Sequence, residues 1–262
     1  MTDARPLDGR HAVVTGGGRG IGAAIARRLA ALGADVSLIG RTPEPLQALA
    51  DELGDAHPQR FAAVPADVTD EARVEQAFAE ARATLGPVAV LVNNAGAVDS
   101  VPFTKMEPDR WQAMLDVNLT SAYRCTRRAL PDMLEAGWGR VVNIASTSGV
   151  TGYPYVTAYC AAKHGLVGLT RALALEVVQR GVTVNAVCPG YTDTDLVAGS
   201  VEALAEKTGQ PEEKLRAAFE QQSPLGRMLR PEEVASAVAW LCHPEQAAVT
   251  AQALVIAGGE AR

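Results

Sequence analysis

Tyr159 and Lys163 lie four residues apart, and their side chains could together carry out proton transfer. On a helix, residues at this spacing share a face, so the ammonium would stand beside the phenol. A free phenol has a pKa near 10; lowering it by about three units, which takes roughly 4 kcal/mol, gives a general base near neutral pH. A neighbouring ammonium favours the phenolate. Ser146 precedes the pair at the end of an apolar run, and its hydroxyl can hydrogen-bond a substrate oxygen. By itself the spacing also fits a core tyrosine beside a surface lysine.

A second chemical feature is the loop Thr15–Gly22, with the sequence TGGGRGIG, which follows the first apolar run. The common GxGxxG spacing is absent, and the glycines instead follow a Gly-x-x-x-Gly-x-Gly pattern. Glycine permits a tight turn and close backbone approach, and the N–H groups of a following helix bind anions. This loop therefore predicts a dinucleotide site, although tight strand-to-helix turns also use glycine. The residues that we assign to cofactor binding here are Gly16, Gly18, Arg19, Gly20, Ile21 and Gly22.

The end of the second apolar run indicates which dinucleotide is bound. An acidic residue at this position would bind a ribose diol and favour NAD. The sequence has Gly40 followed by Arg41, and Arg19 lies in the glycine loop. Guanidinium groups bind phosphate bidentately, so this combination favours NADP(H), with NAD(H) as the weaker alternative. The other interpretation is that both arginines are solvated surface charges.

The elements that would position these residues alternate along the whole chain. Short apolar runs predict strands, helical periodicities lie between them, and no linker divides the 262 residues. Such alternation requires a parallel sheet covered by helices on both faces. We therefore predict an α/β fold with one domain, 1–262, containing a doubly wound parallel sheet of about seven strands flanked by helices. The predicted strands are His11–Thr15, Asp35–Ile39, Phe61–Pro65, Val88–Val92, Arg140–Ala145, Val182–Val187 and Ala253–Ile256.

The predicted helices follow the same rhythm except in one stretch. Asp193–Gln222 is rich in charges and contains two glycines and a proline. Long insertions in compact domains are often functional, so this stretch is predicted to be a substrate lid; an exposed helical hairpin is the alternative. The predicted helices are a first one that runs from the glycine loop to Gly33, then Glu44–Leu53, Asp70–Leu85, Glu107–Leu115, Leu119–Ala136, Thr157–Arg180 and Pro231–Leu241.

Composition excludes several classes of protein. The hydrophobic share is 48%, the net charge is −6 and the pI is about 5.3, which argues against disorder, nucleic-acid binding and anionic membranes. The four cysteines are scattered, no metal-ligand spacing occurs, and neither a signal peptide nor a membrane span is evident. We expect a cytoplasmic protein without a metal.

Taken together, the motifs resemble those of the classical short-chain dehydrogenase/reductase family over nearly the whole chain. The family has a Rossmann sheet, which agrees with the predicted fold. Within the family, the chain most resembles 3-oxoacyl-thioester reductases, polyketide-type ketoreductases and hydroxyacyl-CoA dehydrogenases. The matching stretches are Thr15–Gly22, Asp67-Val68, Asn93–Gly96, Asn118, Asn143–Gly149, Tyr159–Lys163 and Pro189-Gly190.

The resemblance implies roles for four catalytic residues. Tyr159 is the acid/base, Lys163 lowers the tyrosine pKa and holds the nicotinamide ribose, and Ser146 orients the carbonyl. Asn118 holds a water that links the lysine to solvent. Further cofactor contacts implied by the resemblance are Arg41, Asp67, Val68, Asn94, Ala95, Gly96, Pro189, Gly190, Thr192 and Thr194, together with Tyr159 and Lys163.

The substrate is less constrained. Arginines that carrier-protein reductases often carry are replaced by Gly137 and Leu175, and a Pro-Gly-Gly of aromatic polyketide ketoreductases is replaced within Ala97–Ser100. Both departures favour a CoA thioester or a free ketone as the small-molecule substrate. Apolar and aromatic side chains near the catalytic motifs suit an acyl or aryl group, although they are equally consistent with loop packing. These pocket candidates are Val98, Ser146, Tyr153, Tyr155, Tyr191, Leu196 and Val197.

The predicted function is therefore NADP(H)-dependent interconversion of a ketone and a secondary alcohol. The alternatives are an NAD-dependent alcohol or hydroxyacyl-CoA dehydrogenase, a non-catalytic dinucleotide sensor, and a scaffold with a vestigial glycine loop. The resemblance also implies a homotetramer that pairs through Leu119–Ala136, Thr157–Arg180 and the last strand. An apolar surface on the catalytic helix supports this assembly unless it packs only on its own sheet. Its residues are Ala161, Ala162, Leu166, Leu169 and Leu173.

Overall fold

A computed structural model describes residues 5–260, apart from the side chain of Lys207. Within them, seven strands form one parallel sheet in the order β3-β2-β1-β4-β5-β6-β7. The predicted strands are all confirmed, with ends shifted by at most two residues. The strands are β1 (His11–Thr15), β2 (Asp35–Gly40), β3 (Phe61–Pro65), β4 (Val88–Asn93), β5 (Gly139–Ile144), β6 (Val182–Pro189) and β7 (Ala253–Ile256).

Helices cover both faces of the sheet, which makes it doubly wound as predicted. On one face α1, α2 and α9 pack around Ile25, Leu49 and Val234; on the other, α3, α5 and α6 pack around Phe78, Met133 and Ala174. The helices are α1 (Gly20–Ala31), α2 (Pro43–Ala56), α3 (Glu71–Leu85), α4 (Pro108–Leu115), α5 (Ser121–Ala136), α6 (Thr157–Val177), α7 (Asp195–Thr208), α8 (Glu212–Gln222) and α9 (Pro231–Cys242).

The winding reverses between β1 and β4, which are adjacent in the sheet but not consecutive in the chain. At such a switch point the connections leave in opposite directions, so a crevice opens beyond the carboxyl ends of the strands. The glycine loop follows β1, Asn94 follows β4 and Ser146 comes shortly after β5. The fold therefore gathers the predicted chemistry along one edge of the sheet.

One helix on this edge is interrupted by a wider turn. Between α4 and α5 the chain forms a π-helical turn, Asp116–Thr120, with no break in the helical path. Turns of this kind insert an extra residue into a helix and are frequent at functional sites. Asn118 lies in the middle of this turn and is buried. The sequence predicted an uninterrupted helix from Leu119, so the π turn was missed.

The stretch predicted to be irregular is an ordered helical hairpin formed by α7 and α8. The first helix ends at Gly209, whose φ of +68° gives the left-handed cap that glycine favours. An ion pair of 2.9 Å joins Arg216 on α8 to Asp193, which precedes α7. The exposed helical hairpin that the sequence offered as the alternative is therefore present, with the charged residues on the exposed faces of two short helices. Its role as a lid stays a prediction.

The apolar surface predicted on α6 is largely internal. Ala162 and Leu166 are buried, and Leu166 packs with Ala186 and Cys188 of β6. Two of the five residues proposed for an interface therefore pack on the parent sheet, and Leu169 and Leu173 are partly buried. Leu175 on the same helix is instead 74% exposed. No helix among the described residues has the length and apolarity to cross a membrane.

Candidate active site

The predicted serine, tyrosine and lysine are brought together by β5 and α6. Gly149 ends the short turn after Ser146 and packs against α6; a Cβ there would lie 2.8 Å from the Lys163 carbonyl oxygen. This close approach fixes the turn, and the Ser146 hydroxyl accepts a 3.1 Å hydrogen bond from the Ser148 N–H. The Ser146 hydroxyl also lies close enough to the Tyr159 phenol to favour its ionised form. The two hydroxyls thus face one point at the edge of the sheet.

Lys163 lies one helical turn beyond Tyr159 and is 3% exposed. Its ammonium lies 5.6 Å from the centroid of the tyrosine ring, as the shared helix face predicts. The Nζ atom donates a 2.8 Å hydrogen bond to the Ile144 carbonyl at the end of β5. Burial lowers the pKa of Lys163 to about 8, because the charged form loses its hydration.

The tyrosine pKa differs from the sequence-based expectation. Desolvation raises the pKa of Tyr159 to about 12, while the hydrogen bond with Ser146 opposes that rise. Lys163 does not offset this rise in the arrangement seen, in which its ammonium is bonded to a backbone carbonyl, and its effect on the tyrosine stays a prediction. The phenol is protonated at neutral pH, which is the state that a proton donor needs.

The Asn118 side chain forms hydrogen bonds with backbone groups. Its Nδ2 donates to the Ala97 carbonyl at 2.9 Å and to the Met114 carbonyl at 3.0 Å, and its Oδ1 accepts from the Ala97 N–H at 3.3 Å. A Cβ at Gly96 would lie 2.8 Å from Asn118 Oδ1 and 3.6 Å from Lys163 Nζ. The π turn therefore brings Asn118 beside the lysine and ties it to the loop after β4.

The glycine loop has the geometry of an anion cradle. Gly16 and Gly20 have φ angles of +62° and +53°, which side chains other than glycine rarely adopt. A Cβ at Gly22 would lie 2.1 Å from the Gly16 carbonyl oxygen, so the turn closes only without one. Arg19 caps α1 with no side-chain hydrogen bond, and the first turn contains no acidic residue. The N–H groups at the start of α1 are thus uncompensated, which fits a pyrophosphate.

Residues after β4 brace this loop from the other side of the switch point. The Asn94 side chain donates to the carbonyls of Thr15 and Gly16 at 3.0 and 3.2 Å, and the Asn94 and Ala95 N–H groups donate to the Thr15 hydroxyl. Asn93 turns inward instead and donates to Asn143 at 2.8 Å. Asn94 therefore supports the cradle, whereas Asn93 belongs to a buried polar network.

At the far end of the crevice lie the residues predicted to choose between NADP and NAD. Gly40 ends β2, and Arg41 after it is exposed. Burial pushes the pKa of Asp67 upward, but hydrogen bonds from Thr69 and the positive charge of Arg41 bring it below its usual value. Arg19 forms only a long, exposed ion pair of 3.7 Å with Asp195 on α7. Val68 is buried beside Asp67. Both arginines are thus open to solvent near the end of β2 and the glycine loop.

The loop after β6 returns to the cradle. The Thr192 hydroxyl donates to the Gly190 carbonyl at 3.0 Å, and Thr194 hydroxyl donates to the Thr192 carbonyl at 3.2 Å. A Cβ at Gly20 would lie 3.3 Å from the Thr194 methyl group. Pro189 ends β6, and Gly190 therefore begins a segment that spans from the catalytic pair to the glycine loop.

The residues predicted to line the substrate pocket differ in burial and in the contacts that they make. Tyr191 packs against Phe219 of α8 with ring centroids 4.8 Å apart, and Tyr153 donates a 2.5 Å hydrogen bond to Glu260. Tyr155 is 60% exposed and has a φ of +67°, so the structure does not bury it in a pocket. Leu196 is also exposed, whereas Val98 and Val197 are partly buried.

Sequence reasoning missed Phe219 and Glu260, because both come from segments far from the catalytic motifs. The Tyr153–Glu260 hydrogen bond joins residues 107 positions apart. A signal was available for only one of them: Phe219 is an aromatic residue in a charged helix.

Comparisons with known proteins agree with this geometry. The sequence profile described as short chain dehydrogenase matches residues 10–205. The D-beta-hydroxybutyrate dehydrogenase of Cupriavidus necator is 39% identical, with 90% of this chain and 91% of that protein aligned. A 3-oxoacyl-[acyl-carrier-protein] reductase of Aquifex aeolicus is 36% identical over 97% of this chain and 98% of its own. A crystal structure of a variant actinorhodin polyketide ketoreductase with NADPH has a TM-score of 0.92, 40% identity and 97% coverage of both chains.

Proposed function

The chain belongs to the short-chain dehydrogenase/reductase family, and from this premise we propose that it is an NADP(H)-dependent ketoreductase for 3-oxoacyl thioesters or related ketones. The observation that carries the proposal is that Ser146 and Tyr159 adjoin each other beside a buried lysine and a glycine cradle. The family interconverts ketones and secondary alcohols, so the enzyme class follows from membership. The cofactor preference, the residue roles and the substrate are the proposed parts.

Tyr159 is the proposed proton donor in the direction of reduction. Its phenol is protonated at neutral pH, and the alkoxide that forms as the carbonyl is reduced is a far stronger base than phenolate. Ser146 donates a hydrogen bond to the carbonyl oxygen and so holds it next to the tyrosine. A positioned acid of this kind contributes about 10²–10⁴-fold to a rate. In oxidation the same phenol must first lose its proton in order to act as the base.

The chain's own groups fit a bound dinucleotide. A nicotinamide supplies or accepts the hydride, and the protein contributes position and charge. The N–H groups of the glycine loop would bind the pyrophosphate, and Asp67 and Val68 would border the adenine. Lys163 would hold the ribose next to the nicotinamide, with Thr192 and Thr194 beside its carboxamide. A bound ribose would compete with the Ile144 carbonyl for the Lys163 ammonium, whose charge lies 5.6 Å from the centroid of the tyrosine ring.

NADP(H) is proposed over NAD(H) because no carboxylate stands at the end of β2. Gly40 leaves room for a phosphate on the ribose, and two exposed guanidinium groups, those of Arg19 and Arg41, are available to it. The actinorhodin ketoreductase was solved with NADPH. Arg19 would exchange its weak pair with Asp195 for the phosphate, since exposed ion pairs contribute about 1 kcal/mol or less.

The proposed substrates are 3-oxoacyl compounds, in which the ketone is at carbon 3 and the carboxyl derivative is at carbon 1. Two of the relatives are named for 3-hydroxy or 3-oxo acyl compounds, as a D-beta-hydroxybutyrate dehydrogenase and a 3-oxoacyl-[acyl-carrier-protein] reductase, and the third is a polyketide ketoreductase. The α7–α8 hairpin, which contacts Tyr191 through Phe219, is proposed as a lid over the acyl chain.

The test is NADPH consumption with a 3-oxoacyl-CoA, a carrier-protein mimic and simple ketones, repeated with NADH. We expect turnover of at least one 3-oxo compound, with NADPH preferred. Tight NADPH binding without any turnover would instead identify a dinucleotide sensor. Cofactor binding is measured by fluorescence titration. If neither cofactor binds, the protein is interpreted as a scaffold.

A homotetramer and a cytoplasmic location complete the proposal. Apolar side chains remain exposed on α5 and α6, among them Tyr123 and Leu175, and β7 is only partly covered. All four cysteines are free, which suits a reducing compartment. A stable monomer in sedimentation at micromolar concentration would contradict the assembly, and secretion of the protein in a fractionation experiment would contradict the location.

A further inference from the structure

Glu260 places a carboxylate at the substrate end of the crevice. It lies just beyond the sheet's last strand, β7, and accepts the 2.5 Å hydrogen bond from Tyr153 through Oε1. Tyr153 belongs to the loop between Ser146 and α6 and also interacts with the Thr147 side chain. The other carboxylate oxygen, Oε2, lies so close to Gly190 that a Cβ there would be only 2.4 Å away. The carboxylate thus stands between the catalytic serine's loop and the nicotinamide-side loop.

The Oε2 atom is buried and receives no hydrogen bond from the described residues. Buried polar atoms are almost always hydrogen-bonded, so this acceptor is open to a donor that the described residues do not supply. The negative charge also reaches the surrounding phenols: after burial, the main cause, it contributes to raising the pKa of Tyr191. Glu260 is therefore electrostatically coupled to Tyr153 and Tyr191.

Two positive charges on the neighbouring elements are already engaged. Lys163 on α6 donates to the Ile144 carbonyl, and Arg216 on α8 pairs with Asp193. A substrate carboxylate that entered beside Glu260 would meet a like charge, and like charges brought together at an interface are strongly disfavoured. An uncharged substrate would meet no such repulsion.

We propose that Glu260 is a specificity-determining residue that admits uncharged 3-oxo substrates and rejects 3-oxo acids. Tyr153 is its positioning residue, since it fixes one carboxylate oxygen and leaves the other facing Gly190. This assignment rests on the proposed ketone chemistry and narrows its substrate class to esters, thioesters and amides. Discrimination here acts by repulsion of the wrong substrate as well as by attraction of the right one.

The test uses two compounds that differ in one charge, ethyl 3-oxobutanoate and 3-oxobutanoate. We expect the wild type to favour the ester in kcat/KM by about tenfold or more. Glu260→Gln keeps the shape and removes the charge, so it should bring the ratio close to one, mainly by lowering KM for the acid. Glu135→Gln, at an exposed carboxylate on α5, is the matched control and should keep the wild-type ratio.

Binding to the NADPH complex, measured by calorimetry, separates this inference from the proposed function. If neither compound is reduced, the ketoreductase proposal fails, while the two Kd values still test Glu260. Equal affinity of the wild type for acid and ester, no binding of either, or an unchanged ratio in Glu260→Gln overturns the assignment. Should Glu260→Gln not fold, the wild-type ratio decides alone. Tyr153→Phe keeps the charge and should therefore retain rejection of the acid.

Discussion

The two ends of the crevice are built by different means. At the cofactor end, the shape comes from backbone: Gly16, Gly20 and Gly22 allow turns that a Cβ would block, and Asn94 bonds to carbonyls. At the substrate end, the shape comes from side chains that distant segments contribute, such as Tyr153 with Glu260. A cradle made from backbone demands glycine at set positions, whereas a pocket made from side chains can change with any loop. The first end is therefore common to a family, and the second distinguishes one member from another.

The largest expected effect comes from removing the catalytic hydroxyl while leaving the cofactor end and the substrate end of the crevice intact. Tyr159→Phe removes the proton donor but keeps the ring, so kcat should fall by about 10³-fold, within the usual range for a lost general acid. NADPH affinity, measured by fluorescence titration, should stay within about threefold, because the glycine cradle is untouched. Comparable rates for the two proteins would remove Tyr159 from its assigned role.

The preference for NADPH or NADH tests whether side chains at the end of β2, beside the glycine cradle, determine which cofactor is bound. Gly40→Asp with Arg41→Ala adds a diol acceptor and a repulsive charge, and should shift the NADPH/NADH ratio of kcat/KM by roughly a hundredfold towards NADH. A Cβ at Gly40 meets only the flexible Leu46 side chain at 3.3 Å, so the fold should tolerate the change.

Gly40→Ala is the control for that double variant, since it adds the Cβ without a charge and should keep the preference for NADPH. A wild type that prefers NADH would show that both arginines are surface charges.

Gly22→Ala tests the backbone end directly. Its Cβ would lie 2.1 Å from the Gly16 carbonyl oxygen, which must then move. Overpacking of this kind costs about 1–3 kcal/mol, so NADPH affinity should fall by about tenfold or more. Gly54→Ala, on α2, where a Cβ meets nothing within 4 Å, is the control. Unchanged affinity in Gly22→Ala would show that the cradle tolerates side chains and would remove the contrast between the two ends.

The smallest effect lies in the pH profile. Lys163 has a pKa lowered to about 8, so its ammonium is present below that pH and lost above it. With Tyr159 protonated throughout, kcat/KM for reduction should be level below pH 7, half-maximal near 8 and lower beyond. Lys163→Arg, whose charge persists, should move the falling limb to higher pH or abolish it. A limb that stays near pH 8 in that variant belongs to another group.

Much of this arrangement was predictable, for a physical reason. The strands are apolar runs bounded by turns, and their alternation with helical patterns predicts a parallel sheet. Tyr159 and Lys163 are linked by helical periodicity, and Gly16 to Gly22 by the requirements of a tight turn. Burial was not predictable in the same way. The rise of the Tyr159 pKa depends on desolvation by α6, β5 and the loops together, and the Glu260 contact joins chain segments that no local pattern connects.

The π turn at Asp116–Thr120 has a consequence for any attempt to improve the helix that contains it. Removing one residue there would restore regular α-helical hydrogen bonding and make the segment a better helix in isolation. It would also rotate everything beyond the deletion by about 100°, since a helix advances 3.6 residues per turn. Asn118 would then face away from Ala97, and the loop after β4 would lose its anchor. The π turn changes the rotational phase of the helix, so that residues before and after the turn can each face the elements that they contact.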